Sequence, residues 1–411
     1  MKPLSQAELL RQSLSRTAFS FRGYNVTNLG RTFELLEHPT YGPIIEKSLR
    51  EASDICSKTL QKPVDLAGRI RRREETRDLS TYAEDIALIA GVELGQLRIL
   101  EQYFEIPFRQ ARLAFGFSLG EPIALVAAGV YELADMLPIP ISLAADSAAL
   151  AHDVTMGVLF SRKLALDVAD VRRLCHEINL AGNGVIGIST VLSPNCVLLL
   201  GQQDTVDRFR AQIEKRMPLG TNLRKNAHRW PPLHTHITWQ RHLPNRTAMM
   251  LQTVPGGTAA PPLPIISAAV PDQRYNGDNT RELLHRWVDH PQQLWEEIVQ
   301  VLDHGIETIV HVGPDPNLIP ATFKRLSDDV NLQLHGRFPG GFGKRMLSHV
   351  VRRPWLARRL PSEARLLRAP QIRHVILEDW LLEQQASDTP AASKIVSQKL
   401  TLGNSNPEGV E

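Results

Sequence analysis

A mostly parallel α/β sheet carrying a small α+β insert is the fold this chain predicts, on three observations. Short apolar strands alternate with amphipathic helices along most of its length. A Gly-x-Ser-x-Gly turn lies between an apolar strand and an Ala-rich helix, and the texture changes to closely spaced strands after Ala181. At 411 residues and 43% hydrophobic content the chain can bury a full core, and its length suggests roughly two or three domains.

The elements follow in order. Residues 17–21 (TAFSF) read as a first strand, followed by a loop containing Gly23 and Gly30. Helices are expected near 31–58 and 80–104, then a strand at 111–116 that feeds the serine turn. Residues 184–190 and 196–201 read as two strands and 203–216 as an amphipathic helix, which places a small α+β subdomain at 183–230. The α/β core, 1–182 and 231–335, resumes at PIISAAV (264–270) with helices over about 279–304, a strand at 307–313 and a helix near 317–328. No internal repeat is found.

Composition narrows the function. Net charge is +3 with 22% charged residues, so an electrostatic partner must be met locally. Three cysteines, Cys56, Cys175 and Cys196, have neither disulfide-framework nor metal-site spacing, and no metal or redox cofactor is implied. The N-terminal MKPLSQAELLRQSLSR lacks the apolar core of a secretory signal. The most apolar stretch, 123–150, holds Glu132, Asp135, Asp146, Pro138 and Pro140, which a bilayer tolerates poorly. A cytoplasmic protein with no membrane span is expected.

The segment LAFGFSLGEPIALVAAG (113–129) is the most informative. A serine hydroxyl becomes a nucleophile when a sharp strand-to-helix turn holds it clear of the backbone beside a base, and such a turn needs small neighbours. Gly116 and Gly120 supply the room. The helix beginning at Ser118 points free N–H groups and its positive dipole end at an oxyanion forming there. Pro122 falls in the first helical turn, where its missing N–H costs little.

GFSLGEPIALVAAGVYELAD closely resembles the active-site segment of malonyl-CoA:acyl carrier protein transacylases and the related acyltransferase domains of polyketide and fatty acid synthases. PNCVLLLGQQDTVDRF is similar to that family's small-subdomain strand and helix, PPLHTHI to its catalytic-histidine segment, and DHGIETIVHVGPDPNL to its late strand ending in Gly-Pro. These matches keep the family's order and span about 18–330. The resemblance implies an α/β-hydrolase-like core with a ferredoxin-like insert, and acyl transfer by a Ser/His pair. Ser118 would attack an acyl thioester, with acyl-CoA as substrate, and His234 would take its proton. The acyl-Ser118 intermediate would then pass to the phosphopantetheine thiol of an acyl carrier protein. His236, two residues on, and His228 are the rival bases. The implied oxyanion donors are the backbone N–H groups of Leu119 and Tyr24.

The chain also departs from that pattern. Tyr24 stands where the family carries a glutamine, Phe117 replaces the histidine before the serine, and Trp287 falls near a later glutamine that helps hold the catalytic histidine. Losing an oxyanion donor costs about a hundred- to thousand-fold in rate, but a backbone donor survives a side-chain change. Leu143 occupies the place of the arginine that clamps the malonyl carboxylate in malonyl-selective members, so Leu143 and Trp287 are expected to border the substrate. The acyl group is therefore expected to be neutral, acetyl or longer, unless Arg162 or Arg112 supplies the cation.

Beyond 335 the chain leaves the family pattern. Residues 337–374 hold ten Lys or Arg against one acidic residue, Glu363. A basic extension at 336–384, with Arg352, Arg353, Arg358 and Arg359, would suit an acidic carrier protein and the phosphates of coenzyme A. A helical extension packed on the core through Trp355 and Leu356 is the structural alternative. Residues 385–411 are polar and expected to be disordered. The partners expected are the carrier protein and acyl-CoA, with no nucleic acid, and the chain is expected to be a monomer. Two other functions fit the motif. One is a GxSxG thioesterase or esterase served by His304 or His311, and the other is a non-catalytic scaffold derived from an acyltransferase.

Overall fold

The computed structural model of the chain describes residues 4–335 and 354–384. The polar tail at 385–411 and the 336–353 part of the basic extension lie outside the described residues. Among the described residues eight strands run β1 (Thr17–Phe21), β2 (Leu113–Gly116), β3 (Val154–Ser161), β4 (Ile186–Ser193), β5 (Cys196–Gln202), β6 (Thr221–Lys225), β7 (Thr308–Val312) and β8 (Arg373–Ile376).

They form two four-stranded sheets. The first is parallel, in the order β2-β1-β7-β8. Every residue of β1 is buried, as a central parallel strand covered on both faces requires. Helices α1 (Gly42–Leu60) and α2 (Tyr82–Phe104) pack closely on one side, where a Cβ at Gly91 would lie 3.1 Å from that of Ala52. Helix α3 (Gly120–Ala127) follows the serine turn, and α4 (Pro138–Leu150) lies against α1 and α2. Among the described residues one segment, Leu133–Asp153, has the length and apolarity of a membrane span. It folds as short helices with a break at Pro138, packed onto the core.

The second sheet is antiparallel, in the order β4-β5-β3-β6. Its chain path is β3, α5 (Val168–Leu180), β4, β5, α6 (Thr205–Arg216), β6, the ferredoxin-like βαββαβ arrangement. The insert therefore begins at Val154 and ends at Lys225, not at 183 and 230 as expected. Strand β3 is indispensable because it pairs with both β5 and β6, and the change of texture after Ala181 marks only the end of α5.

One further expectation is corrected. The helix read over 31–58 is broken into Thr32–Glu37 and α1, because His38 precedes Pro39 and is held extended (φ −68°, ψ 128°). The helices expected over about 279–304 are α7 (Thr280–Arg286) and α8 (Leu294–Asp303), and Pro291 lies in the gap. PIISAAV forms isolated bridges only, Ile265 with Ala114 and Ile266 with Arg274, since the chain turns back between Val270 and Gln273.

The described part of the basic extension belongs to the fold. Strand β8 adds to β7, α9 (Leu318–His335) packs against residues 364–371, and Trp355 and Leu356 are buried. Helix α10 (Leu377–Glu383) seats Trp380 against Phe104 with ring centroids 4.9 Å apart. These contacts favour the packed-extension reading of Trp355 and Leu356.

Candidate active site

The site forms at the carboxyl ends of β1 and β2, where ligands bind in open parallel sheets. Strand β2 stops at Gly116 and the backbone turns through Ser118 at φ 54°, a left-handed conformation costly for a residue with a Cβ. The turn closes because its flanks are glycine. A Cβ on Gly116 would lie 2.3 Å from the Gly120 carbonyl carbon, and one on Gly120 would lie 2.2 Å from the Phe21 oxygen. The Ser118 N–H donates to Gln292 Oε1 (3.0 Å), and the Ser118 carbonyl accepts from Glu121 N (3.1 Å) and Trp287 Nε1 (2.7 Å). With its backbone tethered on both sides, the serine presents Oγ to His234 Nε2 at 2.8 Å.

His234 is placed by backbone contacts. It too has a positive φ (66°), its N–H donates to Val288 O (2.7 Å), and its ring Nδ1 lies 2.7 Å from Trp287 O. A carbonyl can only accept, so Nδ1 carries the proton and the Nε2 lone pair is left for the serine hydroxyl. Burial lowers the imidazole pKa to about 4, against the opposing pull of the Trp287 carbonyl and Asp289. The ring is therefore neutral at pH 7, as a general base must be. His236 and His228 are both exposed, so of the three histidines weighed as base it is His234 that meets Ser118. His304 bonds Arg274, and His311 is buried between Ser20 Oγ (2.6 Å) and His374 Nδ1 (2.9 Å). Neither candidate late histidine of the hydrolase alternative approaches Ser118.

Leu119 and Tyr24 each have a backbone N–H that bonds no acceptor among the described residues. The Tyr24 loop approaches the serine through Gly23, where a Cβ would lie 2.7 Å from Phe117 O and 3.2 Å from Ser118 Cβ. Arg22, fully buried, holds that loop. Its Nε donates to Gly23 O (2.9 Å), its Nη2 to Asn28 Oδ1 (2.7 Å) and its Nη1 to Pro314 O. The Tyr24 ring stands edge-on to Tyr82 (4.8 Å) and Trp230 (6.2 Å) as part of an aromatic cleft wall. The side chain is thus occupied by packing while the backbone N–H stays free. Nothing in the sequence pointed to Arg22 or Gln292, since a lone Arg and a lone Gln carry no spacing signal.

A cleft of about 350 Å³ between the two sheets contains Ser118, His234, Tyr24 and Phe117. Leu143, expected to border the substrate, does not line it. That side chain is 2% exposed and faces the core from α4, an apolar helix packed on two others. Trp287 is also absent from the lining. It is 4% exposed, and it serves the site through its carbonyl to His234 and its indole N–H to Ser118. Neither Arg162 nor Arg112 lines the cleft, and among the described residues Arg325 of α9 is the one arginine or lysine that does. No group of His, Cys, Asp and Glu suited to a metal ion is present among the described residues.

Of the four arginines read as a docking surface, Arg352 and Arg353 lie outside the described residues. Arg359 pairs with Glu363 (3.0 Å), while Arg358 is exposed. Nearby, Arg365 pairs with Asp303, and Arg368 donates to the carbonyls of Leu302 and Ile306. Much of the described basic charge fastens the extension to the end of α8.

No family model matches the chain. Among curated proteins it is similar to the malonyl CoA-acyl carrier protein transacylase of Escherichia coli O157:H7, with 24% identity over 325 residues, covering 77% of this chain and 94% of that protein. Among solved structures it is similar to FabD from Acinetobacter baumannii, with a TM-score of 0.59 and 19% identity over 76% of this chain and 91% of that one. It is also similar to a malonyl-transacylase solved in complex with a type II PKS acyl-carrier protein, with a TM-score of 0.57 and 19% identity over 75% of this chain and 92% of that one. The resemblance read from the ordered motifs is thus found again in whole sequences, and the fold is that of the malonyl-CoA:acyl carrier protein transacylases.

Proposed function

We propose that this chain is an acyltransferase that moves an acyl group from coenzyme A to the phosphopantetheine thiol of an acyl carrier protein through an acyl-Ser118 intermediate. The observation that carries the reading is the 2.8 Å contact between Oγ of a serine strained at φ 54° and Nε2 of a buried, neutral histidine.

Each proton has a place to go. Ser118 Oγ forms a bond to the thioester carbonyl carbon as its proton passes to His234 Nε2, and the imidazolium stays bound to the Trp287 carbonyl. The negative charge that develops on the carbonyl oxygen meets the free N–H groups of Leu119 and Tyr24. Collapse breaks the carbon–sulfur bond, and the leaving thiolate takes the proton from His234. In the second half-reaction the carrier thiol gives its proton to Nε2 and attacks the acyl-serine, and Ser118 Oγ leaves with that proton restored.

The acyl group in this reading is uncharged. A carboxylate in the cleft would face mainly apolar walls, and Arg325, the one lining cation among the described residues, is an exposed side chain of α9 rather than a buried clamp. The reading places acyl-CoA as substrate rather than bound cofactor, and the cytoplasm, where acyl-CoA is at hand, as the setting. Intact-mass spectrometry after brief exposure to malonyl-CoA, acetyl-CoA and a medium-chain acyl-CoA tests it, with Ser118→Ala as control. A Ser118-dependent adduct that discharges onto holo carrier protein faster than onto water is expected. No adduct from any donor would leave the non-catalytic scaffold, and discharge to water alone would make the protein a hydrolase.

A further inference from the structure

The antiparallel sheet is aliphatic on both faces at its centre. One face lies under α5 and α6, and Leu159, Val197 and Leu199 fill that layer with Val171, Leu174 and Phe209. The other face turns toward Ser118. The β3–β5 register sets Met156 opposite Leu200 and Val158 opposite Leu198, and all four line the cleft with Leu192 of β4. An antiparallel sheet covered on one side usually alternates apolar with polar residues. Here the uncovered side is aliphatic over β3 and β5, flanked by Thr190 of β4 and Arg224 of β6, and Val158 and Leu198 remain partly exposed.

We propose that this aliphatic patch is the seat of the acyl chain, and that the donor is a linear medium-chain acyl-CoA. The inference rests on the acyl-Ser118 reading and names its substrate class. Three observations commit the patch to this occupant. It shares one cleft with the nucleophile and its base, so a chain esterified to Ser118 starts beside it. The arginine on the lining, Arg325, is an exposed side chain of α9, so the patch itself carries no cation for an acyl carboxylate. The volume, about 350 Å³, equals roughly twelve water-sized groups at ~30 Å³ each, room for a chain of about six to ten carbons beside the thioester.

The test is a series of acylation rates on the full chain, read as the Ser118 adduct by rapid-quench mass spectrometry with acetyl-, butanoyl-, hexanoyl-, octanoyl-, palmitoyl- and malonyl-CoA. Each methylene seated on the patch should raise the second-order rate constant about fourfold through octanoyl, with a fall at palmitoyl. Leu198→Phe, which narrows the patch, should cut octanoyl acylation at least tenfold more than acetyl acylation. Val158→Ala, which widens it, should move the optimum to a longer chain, so the patch stays testable should the larger side chain impair folding. Rates that are flat or falling from acetyl to octanoyl would overturn the chain subsite while leaving the acyl-serine reading intact. So would malonyl acylation that outpaces octanoyl and is lost in Arg325→Leu. No adduct from any donor would overturn both.

Discussion

The two halves of the candidate site are built in different ways. The serine half is one continuous stretch, with β2, Gly116, Ser118, Gly120 and α3 following each other within 113–127. The histidine half is gathered from far along the chain. His234 is held by the carbonyls of Trp287 and Val288, and the same stretch returns an indole N–H and, through Gln292, an acceptor to the Ser118 backbone. The first half depends on which side chains are small, and the second on where the backbone runs. That difference lets Trp287 hold His234 without its side chain, since a carbonyl is present whatever the residue.

The contrast can be broken by substitution, and the largest effect is expected at the base. His234→Ala should lower the rate of Ser118 acylation at least a hundredfold, because general-base assistance is typically worth about 10²–10⁴. The same histidine sets the acid limb. Burial lowers its pKa to about 4, and the neutral form is the active one, so the acylation rate should hold from pH 8 down to about 5 and be lost as pH falls through about 4. A midpoint near 6.5 in a stopped-flow pH series would mean that the imidazole is hydrated in the working enzyme.

Gly120→Ala tests the serine half. Its Cβ would meet the Phe21 carbonyl at 2.2 Å, so the elbow must move, and a displacement of about 1 Å in a reacting group costs about a hundredfold. Acylation should fall by that order with a lowered Tm, measured by adduct formation and calorimetry. The smallest effect is expected at Trp287→Phe, which removes the indole bond to Ser118 O but keeps the carbonyl on His234. A loss of about 1 kcal/mol, roughly fivefold in kcat/KM with the pH profile unmoved, is expected. A hundredfold loss there would mean that the side chain, rather than the backbone, holds the base.

Most of what was legible in the sequence was local. TAFSF, the strand before the serine and the strand at 307–313 are short apolar runs bounded by turns, and each lies within two residues of its expected place. The elbow was legible because its glycines answer steric demands only a few residues away. The insert boundary was missed because β3 is apolar like the core strands around it, and only its pairing with β5 and β6 assigns it to the second sheet. Leu143 was read as a substrate neighbour from its place in a motif, but a helix that packs on two others turns that position into the core.

The α/β alternation and the strained serine turn are written in the chain itself, because hydrophobic periodicity and glycine sterics act between near neighbours, whereas the histidine was singled out only by resemblance. Tertiary structure alone decided that His234 Nε2 faces Ser118 Oγ, that Trp287 acts through its carbonyl, that Gln292 and Arg22 brace the two loops, and that an aliphatic sheet face closes the cleft. Those contacts join residues more than a hundred positions apart or use backbone atoms common to every residue type, so no local pattern in the chain encodes them.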